Sequence, residues 1–155
     1  MHLASSVHIR RSPEEVWAYL GDVSNVAVWD RGVSRSEPSS ATPPGVGFEF
    51  DTFAHPRGNS HDGSWGKMSY RISEIHPTRG CTIQLTSTAG NARYFKSAEW
   101  RFRVEAEQEG SRVFCAAVFV LKLRYLLLAP IFLYMRKAIS TDLEHLKAKL
   151  ETLSA

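Results

Sequence analysis

Tyr125-Leu126-Leu127-Leu128-Ala129-Pro130-Ile131-Phe132-Leu133-Tyr134-Met135-Arg136-Lys137 opens the stretch that decides the fold, which continues to Leu153. An apolar block passes into an amphipathic pattern in which Phe132, Met135, Ile139, Leu143, Leu146, Leu150 and Leu153 recur at steps of three and four. That spacing draws one apolar stripe along a helix. Arg136, Lys137, Asp142, Glu144, Lys147, Lys149 and Glu151 fall mostly off the stripe. Pro130 suits a first helical turn, where its missing N–H costs nothing. The spacing therefore predicts a helix from near Ala129 to about Thr152, which needs a broad apolar surface to lie on.

The chain before it supplies that surface as strands. Leu3 to Arg10 alternates weakly, and Ser12-Pro13-Glu14-Glu15 then signals a helix start through a Ser cap, a first-turn Pro and a Glu that closes a capping box. Val16, Trp17 and Leu20 form that helix's buried side, Gly21 ends it, and Asp22 caps a second short turn through Val26 and Val28. After Trp29-Asp30 the pattern becomes a meander: Val33 to Glu37, then Phe48, Phe50 and Thr52 on one face with Glu49 and Asp51 on the other. Lys67 to Ile75 follows with Met68, Tyr70 and Ile72 sharing a side. Cys81 to Ser87 places Ile83 and Leu85 inward. Tyr94 to Val104 points Ala98, Trp100, Phe102 and Val104 inward, and the last strand, read through Leu123 because its cations fall at every second residue, does so with Val113, Cys115, Ala117, Phe119 and Leu121 against outward Arg112, Lys122 and Arg124. The expected class is α+β: a curved antiparallel sheet wrapped around a long C-terminal helix, with two short helices after the first strand.

Length and composition agree with a single domain. The 155 residues are 43% hydrophobic and 23% charged, enough for one substantial core. A formal charge of +3 with scattered Lys and Arg lacks the footprint of a nucleic-acid binder, so nucleic acid is not an expected partner. Met1-His2-Leu3 begins no signal pattern, and Cys81 and Cys115 sit inside strands without disulfide-type spacing. The expected location is the reduced cytoplasm. Lys122 and Arg124 interrupt the apolar run before the helix, and a central cation costs ~2.5 to 3.5 kcal/mol on insertion scales, which argues against a membrane span.

The residues also carry a resemblance. Arg11-Ser12-Pro13-Glu14-Glu15-Val16-Trp17, then Asp22, Trp29, Gly47, Glu74-Ile75-His76-Pro77 and finally Asp142-Leu143, Leu146-Lys147 and Leu150-Glu151 resemble the polyketide cyclase/dehydratase branch of the START-like, helix-grip superfamily. The resemblance spans nearly the whole chain. It implies a seven-stranded sheet gripping the last helix around an elongated pocket for a hydrophobic small molecule. Members include cyclases, dehydratases, carriers of lipids or hormones and coenzyme Q-binding proteins, so fold alone does not choose among them.

Chemistry must come from polar groups that strand parity turns inward. Tyr94 and Lys96 share the parity of Ala98 and Trp100, and a buried Lys with a lowered pKa beside a Tyr can exchange protons with a substrate. The competing reading leaves both at the rim, where a Lys snorkels. Tyr70 is the third catalytic candidate, against a rim tyrosine with a packed ring. Phe48, Phe50, Met68, Ile83, Trp100, Phe119, Phe132, Met135 and Ile139 are the expected apolar lining, with Asp30 and Arg136 as polar contacts at its border. His55, His61 and Asp62 are metal-ligand types, but they match no closed zinc spacing, so neither metal nor cofactor is expected.

Three functions remain open. The first is acid/base cyclisation or dehydration of a polyketide-like or aromatic molecule, and the second is carriage or sensing of a lipid or isoprenoid. The third is peripheral docking of Leu126, Leu127, Leu128 and Ile131 on a membrane inside a collar of Arg124, Arg136 and Lys137. For those leucines, capping the core is the favoured alternative. The sequence leaves monomer and homodimer open.

Overall fold

A computed structural model describes residues 1–56, 66–76, 79–128, 130 and 135–152, except the side chains of Asn91, Leu128, Met135 and Arg136. Seven strands form one antiparallel sheet: β1 (His2–Ile9), β2 (Val33–Pro38), β3 (Glu49–Ala54), β4 (Met68–His76), β5 (Gly80–Leu85), β6 (Phe95–Glu107) and β7 (Gly110–Leu121). Their spatial order is β1-β7-β6-β5-β4-β3-β2, so the first two strands in sequence lie at opposite edges. Two short helices, α1 (Pro13–Gly21) and α2 (Val26–Trp29), carry the chain from one edge to the other. The last helix, α3, is Met135–Thr152.

The Ser12 side chain accepts from the Glu15 N–H while the Glu15 carboxylate accepts from the Ser12 N–H at 3.0 Å, so the capping box forms as read from sequence. Its second carboxylate partner, the Ser12 hydroxyl, holds the Glu15 pKa below its ordinary value. Along α3, Ile139, Leu143, Leu146 and Leu150 are buried against Leu3, Val7 and Ile9 of β1 and Val113, Cys115, Ala117 and Phe119 of β7. Each such side chain contributes roughly 1.5–3 kcal/mol of transfer free energy. The far end of α3 is tied to the β1–α1 junction: Arg11 Nε donates to the Leu150 carbonyl at 3.0 Å, and Arg10 N donates to Glu151 Oε1 at 2.9 Å. Sheet, short helices and α3 thereby enclose a space on the concave face. Residues 131–134 and Leu153 of the expected helix lie outside the described residues.

Three local departures from the expected pattern matter. A bulge interrupts β6 between Phe95 and Ser97, directly after a 3-10 turn over Gly90–Tyr94. One extra residue reverses which side a side chain takes. Phe95 is therefore buried while Lys96 is exposed, although simple parity groups Lys96 with Ala98. On β3, the outward Asp51 and Phe53 are buried as well as the inward Phe50 and Thr52, and Lys67 Nζ lies 2.8 Å from Asp51 Oδ2. The third departure is at the end of β7, which stops at Leu121; Leu123–Leu128 forms a 3-10 segment.

Candidate functional site

The enclosed space is a cavity of about 280 Å3. It lies near the lower end of the ~300–1,000 Å3 typical of small-molecule sites. Trp17 and Leu20 of α1, Val23, and Val26 and Trp29 of α2 form one wall. Phe50, Tyr70, Ile72, Ile83, Trp100 and Phe102 form the opposite wall from the sheet, and Ile139, Asp142 and Leu143 of α3 close a third side. Alternation along β3 to β6 presents these sheet residues to one face. Phe50 and Tyr70 stack with ring centroids 5.5 Å apart, and the Trp29 ring meets Phe102 edge-on at 6.1 Å.

The polar content is small and of one sign. Among the described lining residues there is no Lys, Arg or His, yet Asp30 and Asp142 both reach the cavity. Asp30 follows α2 and Asp142 lies one turn beyond Ile139 on α3, so the α2–β2 corner and the helix bring two carboxyls together. Each is anchored by one backbone donor: Gly32 N–H to Asp30 Oδ1 at 2.8 Å, and Arg31 N–H to Asp142 Oδ1 at 3.3 Å. Burial, and then the neighbouring Asp142, push the Asp30 carboxyl up to about 6, with the Gly32 N–H opposing. Burial also raises the Asp142 pKa, opposed by the Arg31 backbone and the Arg31 and His145 charges. Two carboxyls facing one cavity whose described lining holds no cation resist simultaneous ionisation, Asp30 more than Asp142, which also feels Arg31 and His145.

Tyr70 completes the group. Its hydroxyl donates to Met68 Sδ at 3.6 Å, and burial followed by the Asp30 charge raises its pKa, with the Trp100 indole opposing. Tyr70 thus stays a neutral donor while Asp30 can exchange a proton near neutral pH. Cys81 and Cys115 line the cavity too, and burial pushes their thiols up to about 11 and about 12. Such thiols are poor nucleophiles.

The structure sorts the sequence-derived candidates. Tyr70, Asp30, Phe50, Ile83, Trp100 and Ile139 line the cavity. Phe119 stands behind it, edge-on to Trp100 at 5.4 Å, while Phe48 and Met68 pack in the apolar cluster around Phe50 and Tyr70. Tyr94 and Lys96 are not brought to it. Tyr94 belongs to the 3-10 turn, its hydroxyl bonded to Arg93 at 2.7 Å and its ring against Tyr125, and the β6 bulge turns Lys96 to solvent. Phe132 and the side chains of Met135 and Arg136 lie outside the described residues, as do His61 and Asp62. Among the described residues no cluster of three or more His, Cys, Asp or Glu could hold a metal ion.

Asp142 went unrecognised in the sequence because it reads as part of the polar face of α3, between the stripe residues Ile139 and Leu143. Only its pairing with a carboxyl more than a hundred positions earlier marks it, and spacing carries no signal for that.

A family model described as polyketide cyclase/dehydrase and lipid transport matches residues 1–151. No curated protein matches the sequence. Among solved structures, a protein of Thermus thermophilus is similar at a TM-score of 0.76 and 16% identity, with 100% of both chains covered. The ZhuI aromatase/cyclase of a Streptomyces species gives a TM-score of 0.74 at 12% identity, covering 97% of this chain and 93% of its own. The protein Ara h 8.0201 gives 0.73 at 12% identity, with 98% of both chains covered. At these identities the likenesses establish the helix-grip fold.

Proposed function

The chain belongs to the polyketide cyclase/dehydrase and lipid transport family, and from that premise we propose that its cavity binds a small polyketide-like or aromatic molecule and catalyses its cyclisation or dehydration by side-chain acid/base chemistry. The observation that carries this reading is the pair Asp30 and Asp142 in a mostly apolar cavity without a lining cation among the described residues. A site that only stores a hydrophobic molecule gains nothing from a carboxyl whose ionisation is opposed by burial and by a like charge. Perturbed titratable groups in a cleft are a feature of catalytic sites.

In the proposed reaction the Asp30 carboxylate removes a proton from a carbon flanked by carbonyls. The enolate carbon attacks a second carbonyl of the same molecule, forming a C–C bond, while Tyr70 O–H donates a hydrogen bond to the developing alkoxide. The Asp30 carboxyl returns its proton to that oxygen, giving a β-hydroxy ketone. Loss of a second α-proton to Asp30 and departure of the hydroxyl, protonated as it leaves by that same Asp30 carboxyl, release one water and the unsaturated product and restore the carboxylate. The apolar walls from Phe50, Ile83 and Phe102 would hold the folded substrate and limit access of water.

A second reading, carriage of a lipid or isoprenoid without chemistry, is favoured by the apolar character of most of the lining. Three of the four tryptophans, Trp17, Trp29 and Trp100, face the cavity, so intrinsic fluorescence reports occupancy directly. Native mass spectrometry of gently purified protein, followed by release and identification of any bound molecule, is the first test. Turnover of an offered poly-β-ketone that disappears in Asp30→Asn, with ligand-induced fluorescence quenching retained, supports the enzyme. Ligand binding without turnover in the unaltered protein supports the carrier, and failure to bind any apolar molecule refutes both.

A further inference from the structure

The 3-10 segment Leu123–Leu128 presents apolar side chains to solvent at the end of the sheet where β7 stops and β6 begins. Leu127 is 94% exposed, Leu123 84% and Leu126 50%, and Val120 on the adjoining strand is 42% exposed. Leu126 and Leu127 thus do not cap the core, while the Leu128 side chain and Ile131 lie outside the described residues. The turn Gly90–Tyr94 packs beside them: Lys122 N–H donates to the Tyr94 carbonyl at 3.0 Å, and the Tyr94 and Tyr125 rings meet edge-on at 5.0 Å. Exposed apolar residues clustered in this way mark a contact surface.

The charged side chains of these two segments are all of one sign: Arg93 and Lys96 flank Tyr94 on one, and Lys122 and Arg124 flank Leu123 on the other. The sequence contains no Asp or Glu from Ile75 to Ala98 or from Gly110 to Thr141. Two of the cations lie over aromatic rings: Arg93 is 4.8 Å from the centre of Tyr94 and Arg124 is 4.9 Å from that of Tyr125. Those stacks anchor guanidinium groups beside the apolar tip.

We propose that this tip docks on the surface of an anionic lipid bilayer. Leu123, Leu126 and Leu127 enter the headgroup boundary, while Arg93, Lys96, Lys122 and Arg124 engage lipid phosphates and carboxylates around them. A second copy of the chain fits less well, because an isologous contact through this patch sets the four cations of one protomer against the four of the other. No described helix is long and apolar enough to cross a membrane, so the contact is peripheral. It is independent of the cavity's chemistry.

The test is co-sedimentation of the full chain with phosphatidylcholine vesicles, with and without phosphatidylserine as one lipid in three. Binding is expected only to the anionic vesicles and should fall as salt screens the collar. Arg124→Gln should weaken it about fivefold, and Leu127→Ser about tenfold or more. Leu123→Ser provides a second apolar variant, and because both leucines are exposed, unchanged thermal midpoints separate lost docking from lost fold. No binding to anionic vesicles at low salt, or equal binding by all variants, overturns the proposal. So does self-association in analytical ultracentrifugation that Leu127→Ser abolishes while vesicle binding stays absent.

Discussion

Replacing Asp30 by Asn should make the protein more stable at neutral pH, with the gain disappearing in acid. The Asp30 carboxyl is raised from its ordinary 3.8 to about 6 by burial and by Asp142. A rise of that size corresponds to about 3 kcal/mol of opposition to ionisation in the folded state. The sign follows from linkage: between 3.8 and about 6 the folded chain binds the proton more tightly than the unfolded chain, so the charge costs stability fully above about pH 6 and not at all below the unfolded value. Asn has the same shape, and its Oδ1 can keep the Gly32 N–H bond, 2.8 Å long in the native site. It also relieves the repulsion that Asp142 feels. Residual solvent contact at Asp30 lowers the expected gain to about 2 kcal/mol near pH 8, vanishing near pH 4. Urea unfolding followed by circular dichroism across that range measures it, and the difference between variant and parent cancels the titration of carboxylates common to both. An Asn variant that is less stable, or a difference independent of pH, would refute the electrostatic account of the site.

The remaining predictions concern the site's boundary and the scaffold. Tyr94→Phe and Lys96→Met should leave tryptophan quenching by a cavity ligand unchanged, whereas Trp100→Leu should alter both its amplitude and its midpoint. Ser12→Ala removes the N-cap of α1 and should cost about 1 kcal/mol in chemical denaturation. Leu146→Ala, in the fully buried part of the α3 stripe, should cost roughly 2–5 kcal/mol. Gly110→Ala should be at least as damaging, since a Cβ there would lie 2.2 Å from the Ile9 carbonyl oxygen at a φ of +153°. A thermal midpoint unchanged from the parent would refute that contact.

The family membership and the helix-grip architecture were legible because they rest on short-range rules. A Ser-Pro-Glu-Glu start, period-two alternation in the strands and the three-and-four spacing from Ile139 to Leu150 each act over a few residues, and burial followed them. The same alternation puts Phe50, Tyr70, Ile83 and Trp100 on the face of the sheet that lines the cavity. It failed at Lys96, where one inserted residue between Phe95 and Ser97 reversed the inside and the outside. It failed also at Leu123, where the strand had already ended and the exposed apolar tip began.

What sequence determined by itself was therefore the set of elements and their apolar faces, since propensity, capping and periodicity are properties of neighbouring residues. Only tertiary structure decided that Asp30 and Asp142 meet in one cavity without a cation among its described lining, and that the turn carrying Arg93 and Tyr94 packs beside the segment of Leu123 and Leu127. The physical reason is that ionisation and surface attraction depend on distance and solvent access between groups far apart along the chain. A one-dimensional pattern fixes neither quantity.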